Sequence, residues 1–272
     1  MPESPEIYNL TKNVLSKYIG KKLTNIKINY GRYKKHGPPE NFNKFKKTFP
    51  IKCINVYKKG KVIFISFEHN WYIISKLGLI GWWNIEGKEV DWKNDNKKNV
   101  VLSFNNSKDL IYDDHLSFGT LIITNDSNII QKELDKLAPD ISDKNIKFSE
   151  ILERINILIP KIKNKLIEDI IIDQKLIFSG IGNYLKSEIL YRAKISPLRK
   201  IKNINNDEWK KIFTIAKKLC NKMQLILETD NSNKYFDSMK VYQKEKDPYG
   251  NKIKTHKSLG GRTTFYVESI QK

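Results

Sequence analysis

A chain of 272 residues with a formal net charge of +20 is long enough to bury a substantial core, more readily as two domains than as one. Its apolar runs, such as 71–85, are interrupted by Ser75, Lys76 and glycines, which excludes a membrane span. Two separated cysteines, Cys53 and Cys220, and four scattered histidines exclude a disulfide framework and a thiolate zinc site, so no metal or other cofactor is expected. The positive field points to a polyanion, with nucleic acid first, although a Lys-rich composition also follows from an AT-rich genome.

In chain order, the opening "MPESPEIYNL" supports two readings. Pro5 suits the first turn of a helix, and Glu3 and Glu6 suit its positive end. Ile7, Leu10, Val14 and Tyr18 then recur at helical spacing as far as Gly20. Alternatively, removal of Met1 exposes Pro2 as a secondary amine, which is a nucleophile. No secretory leader is read ahead of this helix.

Leu23 to Tyr30 alternates as a strand, and residues 31–47 read as a polar loop. Within it, Tyr30-Gly31-Arg32-Tyr33-Lys34-Lys35 suits either nucleic-acid stacking and backbone contact or a partly buried strand end. Residues 51–83 read as consecutive strands, followed by strands at 100–104, 110–112 and 120–124. From Asn128 the period becomes helical: 130–137, 148–159, then 162–172 after Pro160, and 207–227 with Trp209, Ile212, Phe213, Ala216, Leu219 and Met223 on one stripe. In "DQKLIFSGIGNYLKSEIL" the glycines allow close backbone approach and Asn183 can cap a new helix. With Lys175 and Lys186 nearby, the segment suits a clamp on a DNA strand. Residues 234–272 form a basic hairpin with a turn at Asp247-Pro248-Tyr249-Gly250-Asn251 and a strand at Val241.

Together these segments resemble the formamidopyrimidine-DNA glycosylase and endonuclease VIII family along essentially the whole chain. "PESPE" looks like its N-terminal Pro-Glu motif and "KKGKVIFI" resembles the hairpin that presents a catalytic Lys. "LAPD" and "DQKLIFSGIGNYLKSEILYRAKISP" are similar to its helix-two-turn-helix module, and "VYQKEKDPYGNKIKTHKSLGGRTTFYVESIQK" resembles its finger. The implied fold is α+β. An N-terminal helix and β-sandwich form a catalytic domain (1–127), followed by a helix-two-turn-helix domain (128–232) and a β-hairpin finger (233–272). Because the finger has no cysteine, it is similar to the zincless fingers of eukaryotic and large-DNA-virus endonuclease VIII-like enzymes, held by packing of Val241, Tyr242, Phe265 and Tyr266.

The resemblance implies a bifunctional DNA glycosylase and AP lyase of base-excision repair. Pro2 would attack the anomeric carbon and form a Schiff base, and Glu3 would move protons. Lys61 would reach a phosphate or act as general acid, with Lys58 and Lys59 solvated. Asn183, Lys175 and Arg262 would bind phosphates around the lesion, and Glu6 would support the N-terminal turn. Where the family carries "LGMSG" and "DPRRFG" this chain has "KLGLIG" and "DDHLSFG", so Leu79, Leu116 and Phe118 would fill the space left by the extruded nucleotide. Leu116 cannot hydrogen-bond an orphaned base, which implies weak opposite-base discrimination and tolerance of single strands. The short connection between Leu227 and Val241 favours oxidised pyrimidines and ring-opened purines over 8-oxoguanine. The expected partner is damaged DNA, duplex or single-stranded, engaged by a monomer away from membranes. The setting is intracellular, with nucleus, cytoplasm and viral factory left open. Two alternatives stand beside this reading: a non-catalytic DNA-binding module of the same fold, and a sequence-tolerant RNA-binding protein.

Overall fold

A computed structural model describes residues 2–87, 98–229, 232–258 and 260–272. They divide into two compact units. One comprises Pro2 and residues 7–135, the other residues 3–6 and 136–272.

The first unit is built on eight strands: β1 (Lys22–Ile28), β2 (Ile51–Lys59), β3 (Val62–Phe67), β4 (Tyr72–Lys76), β5 (Trp82–Ile85), β6 (Lys98–Phe104), β7 (Leu110–Asp113) and β8 (Thr120–Thr124). They pair antiparallel in the order β5-β7-β6-β1-β2-β3-β4-β8. β1 and β2 meet only at Lys22↔Lys52 and Leu23↔Ile51, so the sheet parts there into two halves. Leu23, Ile26 and Leu102 from one half and Ile63, Ile65 and Ile73 from the other share a core with Ile7 and Leu10 of α1 (Ser4–Asn13). This is the expected sandwich, with apolar side chains directed inward from both layers. The buried Trp83 indole is satisfied by donating to Ser75 Oγ at 3.1 Å.

Residues 31–47 depart from the expected loop by forming two short helices, α2 (Arg32–Lys35) and α3 (Phe42–Lys46). Phe45 accounts for α3, because it is fully buried against Phe49, Phe67 and Trp71. The unit closes with α4 (Ser127–Asp135). Lys59, expected in solvent, instead donates to the Leu134 carbonyl at 2.9 Å, and Lys76 pairs with Glu133 at 2.5 Å. These contacts complete carbonyl and carboxylate groups at the end of α4.

The second unit contains α5 (Phe148–Ile162), α6 (Ile167–Ile170), α7 (Asn183–Ala193), α8 (Asn206–Glu228), α9 (Ser232–Asp237) and the hairpin β9 (Lys254–Lys257) and β10 (Thr263–Tyr266). The stripe expected on α8 is buried, and Asn205 with Glu208 forms its capping box. Pro160 does not end α5, which runs on through it to Ile162. The helix expected over 162–172 shrinks to α6 because tertiary bonds claim its backbone: Ile167 N–H donates to Arg199 O and Ile201 N–H to Lys165 O. None of the described helices is long and apolar enough to cross a membrane.

The expected strand at Val241 is absent, because the N–H groups that would enter a ladder go to a carboxylate. Glu188, buried on α7, accepts from the backbone N–H of Lys240 (2.9 Å), Val241 (2.8 Å) and Tyr242 (2.9 Å), and pairs with Arg192. Val241, Ile253 and Val267 pack on Tyr191, and Tyr242 meets Phe265 edge-on at 5.2 Å. Asp247 closes the finger turn, accepting from the N–H groups of Tyr249 (2.9 Å) and Asn251 (2.8 Å) and from the Tyr191 hydroxyl (2.9 Å). Cys53 and Cys220 are buried and not disulfide-bonded, and burial pushes the Cys53 thiol up to about 12.

Removing Glu188 strands Arg192 and three N–H groups, so Glu188→Ala should lower unfolding free energy by roughly 3–5 kcal/mol. Urea denaturation measures this, and a loss within about 0.5 kcal/mol of zero would show that the residue is not the finger's anchor.

Candidate active site

The second unit has a helix end that its own sequence does not cap. α7 starts after Gly182, which has no side chain, leaving N–H groups at its first turn unsatisfied. Glu3 supplies the cap. Its carboxylate, 2% exposed, accepts from Gly182 N–H (2.6 Å) and Leu185 N–H (3.2 Å) at Oε2, and from Tyr184 N–H (2.9 Å) at Oε1. Three N–H donors at the positive end of a helix offset the cost of burying this charge. Ser4 N–H adds a bond to Gly180 O at 2.9 Å. The approach is so close that a Cβ at Gly182 would lie 2.2 Å from Glu3 Cδ, which explains the glycine there.

Asn183 therefore does not cap the helix as expected, because Glu3 already occupies that position. It donates instead to Thr263 O at 2.8 Å, placing it beside Arg262 of the finger. Arg262 is exposed, and Lys175 is exposed in the loop before α7, its N–H bonded to Asp173 at 2.8 Å. Lys186 does not face a ligand at the surface: α7 is enclosed by its neighbours, and Lys186 is fully buried with no hydrogen-bond partner for Nζ among the described residues. Burial pulls its ammonium down to about 8.

Glu6 stands behind Glu3. Its Oε2 accepts Glu3 N–H at 2.8 Å, so one carboxylate orients the backbone that carries the other. Burial, reinforced by the Glu3 charge, raises Glu6 to about 7. Pro2, partly buried, directly precedes this fixed turn in sequence. The fate of Met1, on which the free amine depends, lies outside the described residues.

The first unit presents the remaining residues on loops. Lys61 follows Gly60 in the two-residue turn between β2 and β3, whose ends pair as Lys59↔Val62. Leu79, Leu116 and Phe118 are 40%, 49% and 61% exposed, high values for large apolar side chains. The structure brings their loops together: a Cβ at Gly78 would lie 2.7 Å from Gly119 N and 2.8 Å from Phe118 C, so only glycine permits that backbone approach. Asp114 supports the second loop by accepting Gly119 N–H at 2.6 Å.

Two features were illegible in the sequence. Glu3 as the cap of a helix about 180 positions away has no local signal. Glu168, fully buried on α6, accepts from the Thr264 hydroxyl and lies 2.6 Å from His256 Nδ1, and thereby ties β9 and β10 to α6.

Gly182→Ala should displace Glu3, cost roughly 1–3 kcal/mol of stability in thermal melts and abolish any activity that needs the N-terminal turn in place. Between about pH 4.5 and 7 the unfolded chain releases the Glu6 proton while the folded chain holds it, so wild-type stability should fall as pH rises through this window. Glu6→Gln should remove that part of the slope. Parallel melting curves for the two proteins would expose the mechanism as wrong.

Three sequence models of one family match the chain in succession: the formamidopyrimidine-DNA glycosylase N-terminal domain over residues 1–121, its H2TH domain over 137–236 and its C-terminal domain over 228–272. Relatives named formamidopyrimidine-DNA glycosylase include those of Ureaplasma parvum, 28% identical, and Rickettsia bellii, 26% identical, each aligned over 100% of both chains. Among solved structures, Lactococcus lactis formamidopyrimidine-DNA glycosylase bound to DNA containing an AP site has a TM-score of 0.82 at 21% identity over 99% of both chains. MutM in complex with DNA containing carbocyclic 8-oxo-G has a TM-score of 0.83 at 20% identity over 100% of both chains. These structures establish the likeness of fold, and the succession of domain matches establishes kinship: the chain belongs to the formamidopyrimidine-DNA glycosylase family.

Proposed function

We propose that this DNA glycosylase of base-excision repair uses Pro2 as its nucleophile and Glu3 as its proton carrier, and continues to strand scission through AP lyase chemistry. The observation that carries the reading is the fixing of Glu3 by three backbone N–H groups, which holds the residue following Pro2 in one place.

An α-amino group titrates near pH ~8, well below a Lys side chain, so a usable fraction of Pro2 is neutral at physiological pH. Its nitrogen attacks C1′, the glycosidic bond breaks, and the electron pair leaves with the base. Glu3 delivers a proton to the ring oxygen O4′ as the sugar opens, and the nitrogen lone pair completes the iminium while the amine proton is lost. Removal of a C2′ proton then expels the 3′ phosphate, and a second elimination releases the 5′ phosphate. Lys61 supplies positive charge or a proton at the phosphate, and Asn183, Lys175 and Arg262 bind phosphates near the lesion. Glu6 acts as a positioning residue through the Glu3 backbone.

Leu79, Leu116 and Phe118 fill the space left by the extruded nucleotide. Apolar wedges offer no hydrogen bonds to an orphaned base, so opposite-base discrimination is weak and single strands are tolerated. The preferred lesions are oxidised pyrimidines and ring-opened purines. Solved relatives were captured on DNA containing an oxidised pyrimidine and on DNA containing carbocyclic 8-oxo-G, so this direction rests on the short connection between Leu227 and Val241. The finger works without zinc, stabilised by its packing and by Glu188.

Borohydride reduction in the presence of an oxidised-pyrimidine oligonucleotide should trap a covalent adduct that mass spectrometry places on Pro2, and Pro2→Gly should lower adduct yield by at least about 100-fold. An adduct on a lysine, or none, would overturn the assignment. Cleavage rates opposite the four bases should agree within about fivefold, a spread of roughly 1 kcal/mol.

A further inference from the structure

We infer that an open cleft on the first unit, lined by Tyr30, Arg32, Lys34, Lys35, His36 and His115, is a seat for the phosphodiester backbone of the DNA strand opposite the lesion. The inference deepens the proposed function, since it rests on Leu116 and Phe118 entering the duplex.

Its volume, about 510 Å³, falls within the range of roughly 300–1,000 Å³ typical of ligand sites. Lys34, Lys35 and His36 are exposed, and the lining contains no carboxylate, so the cleft attracts an anion rather than a neutral group. Its walls are also fixed. The Tyr33 hydroxyl donates to Leu121 O at 3.1 Å and accepts from Leu121 N–H, and Arg32 Nη1 donates to Gly119 O at 3.3 Å. Asn99 bonds both backbone groups of Asp114, accepting its N–H at 2.8 Å and donating to its carbonyl at 3.1 Å. The two readings of Tyr30-Gly31-Arg32-Tyr33-Lys34-Lys35 thus divide by residue: Tyr33 is a structural anchor, and its cationic neighbours line the cleft.

The loop from His115 to Phe118 links cleft and wedge by alternation. His115 and Ser117 line the cleft, while Leu116 and Phe118 are exposed. A loop that places two apolar side chains in a vacated base position runs alongside the orphaned base and its strand. Cations on the reverse of that loop then meet the phosphates of the intact strand. Phosphates flanking the lesion have other candidates in Lys61, Lys175, Asn183 and Arg262.

A single-stranded substrate has no opposite strand, which gives a direct test. The double variant Lys34→Ala/Lys35→Ala avoids the side chains that anchor the loop. Binding is measured on uncleaved DNA carrying a reduced abasic site, either as a duplex or as the lesion strand alone. Duplex Kd should rise by about tenfold, and the slope of log K against log salt should shrink by about two, with single-strand Kd changed by less than about twofold. Equal losses on both substrates, or no loss on either, would overturn the inference. Duplex-specific loss in a protein that traps no adduct would retain the cleft and reject the Pro2 chemistry, so the two failures are separable.

Discussion

The carboxylate of Glu3 at the head of α7 is the interaction on which the candidate site depends. A helix that begins after a glycine has no cap of its own, and a buried carboxylate needs donors; each deficiency is met by the other. The same arrangement holds the turn that follows Pro2 and makes Gly182 irreplaceable by any residue with a Cβ. Glu6 extends it by one step, accepting the N–H of Glu3. α1 accordingly serves two purposes: its first turn belongs with the second unit, while Ile7 and Leu10 belong to the sandwich core.

Buried acids recur as the means by which the second unit is held together. Glu188 collects the backbone of 240–242, Glu168 collects Thr264 and His256, and Asp247 collects its own turn and Tyr191. Each is multiply hydrogen-bonded, the condition under which a buried carboxylate is tolerable. In a finger with no cysteine these bonds, with the Val241, Ile253 and Val267 packing, provide cross-links that short strands alone cannot.

In the first unit the sandwich acts as a rigid base for loops that carry exposed apolar and cationic side chains. Leu79, Leu116 and Phe118 stay exposed because their loops are fixed at the backbone, through Gly78 and the Asp114 carboxylate. Fixing a loop by its main chain leaves its side chains available for a ligand at little further entropic cost.

The sequence by itself determined the α+β class and most of the order of elements, and its resemblance to the family supplied the residues on which the chemistry is proposed to rest. Period-two and period-3.6 patterns are local, and a motif such as "PESPE" is contiguous. α8 shows the strength of that signal, since its apolar stripe was read from the residues, while the Asn205–Glu208 capping box that starts it emerged from the structure. Only tertiary structure decided what depends on distant partners. The 162–172 helix was shortened to α6 by bonds with residues 199–201, and the Val241 strand was lost to Glu188. The α7 cap passed from Asn183 to Glu3, and Lys186 went into the interior. In the first three cases a backbone donor had to find a partner, and that partner lay far away in sequence; Lys186 was instead enclosed by the packing around α7, with no hydrogen-bond partner for Nζ among the described residues.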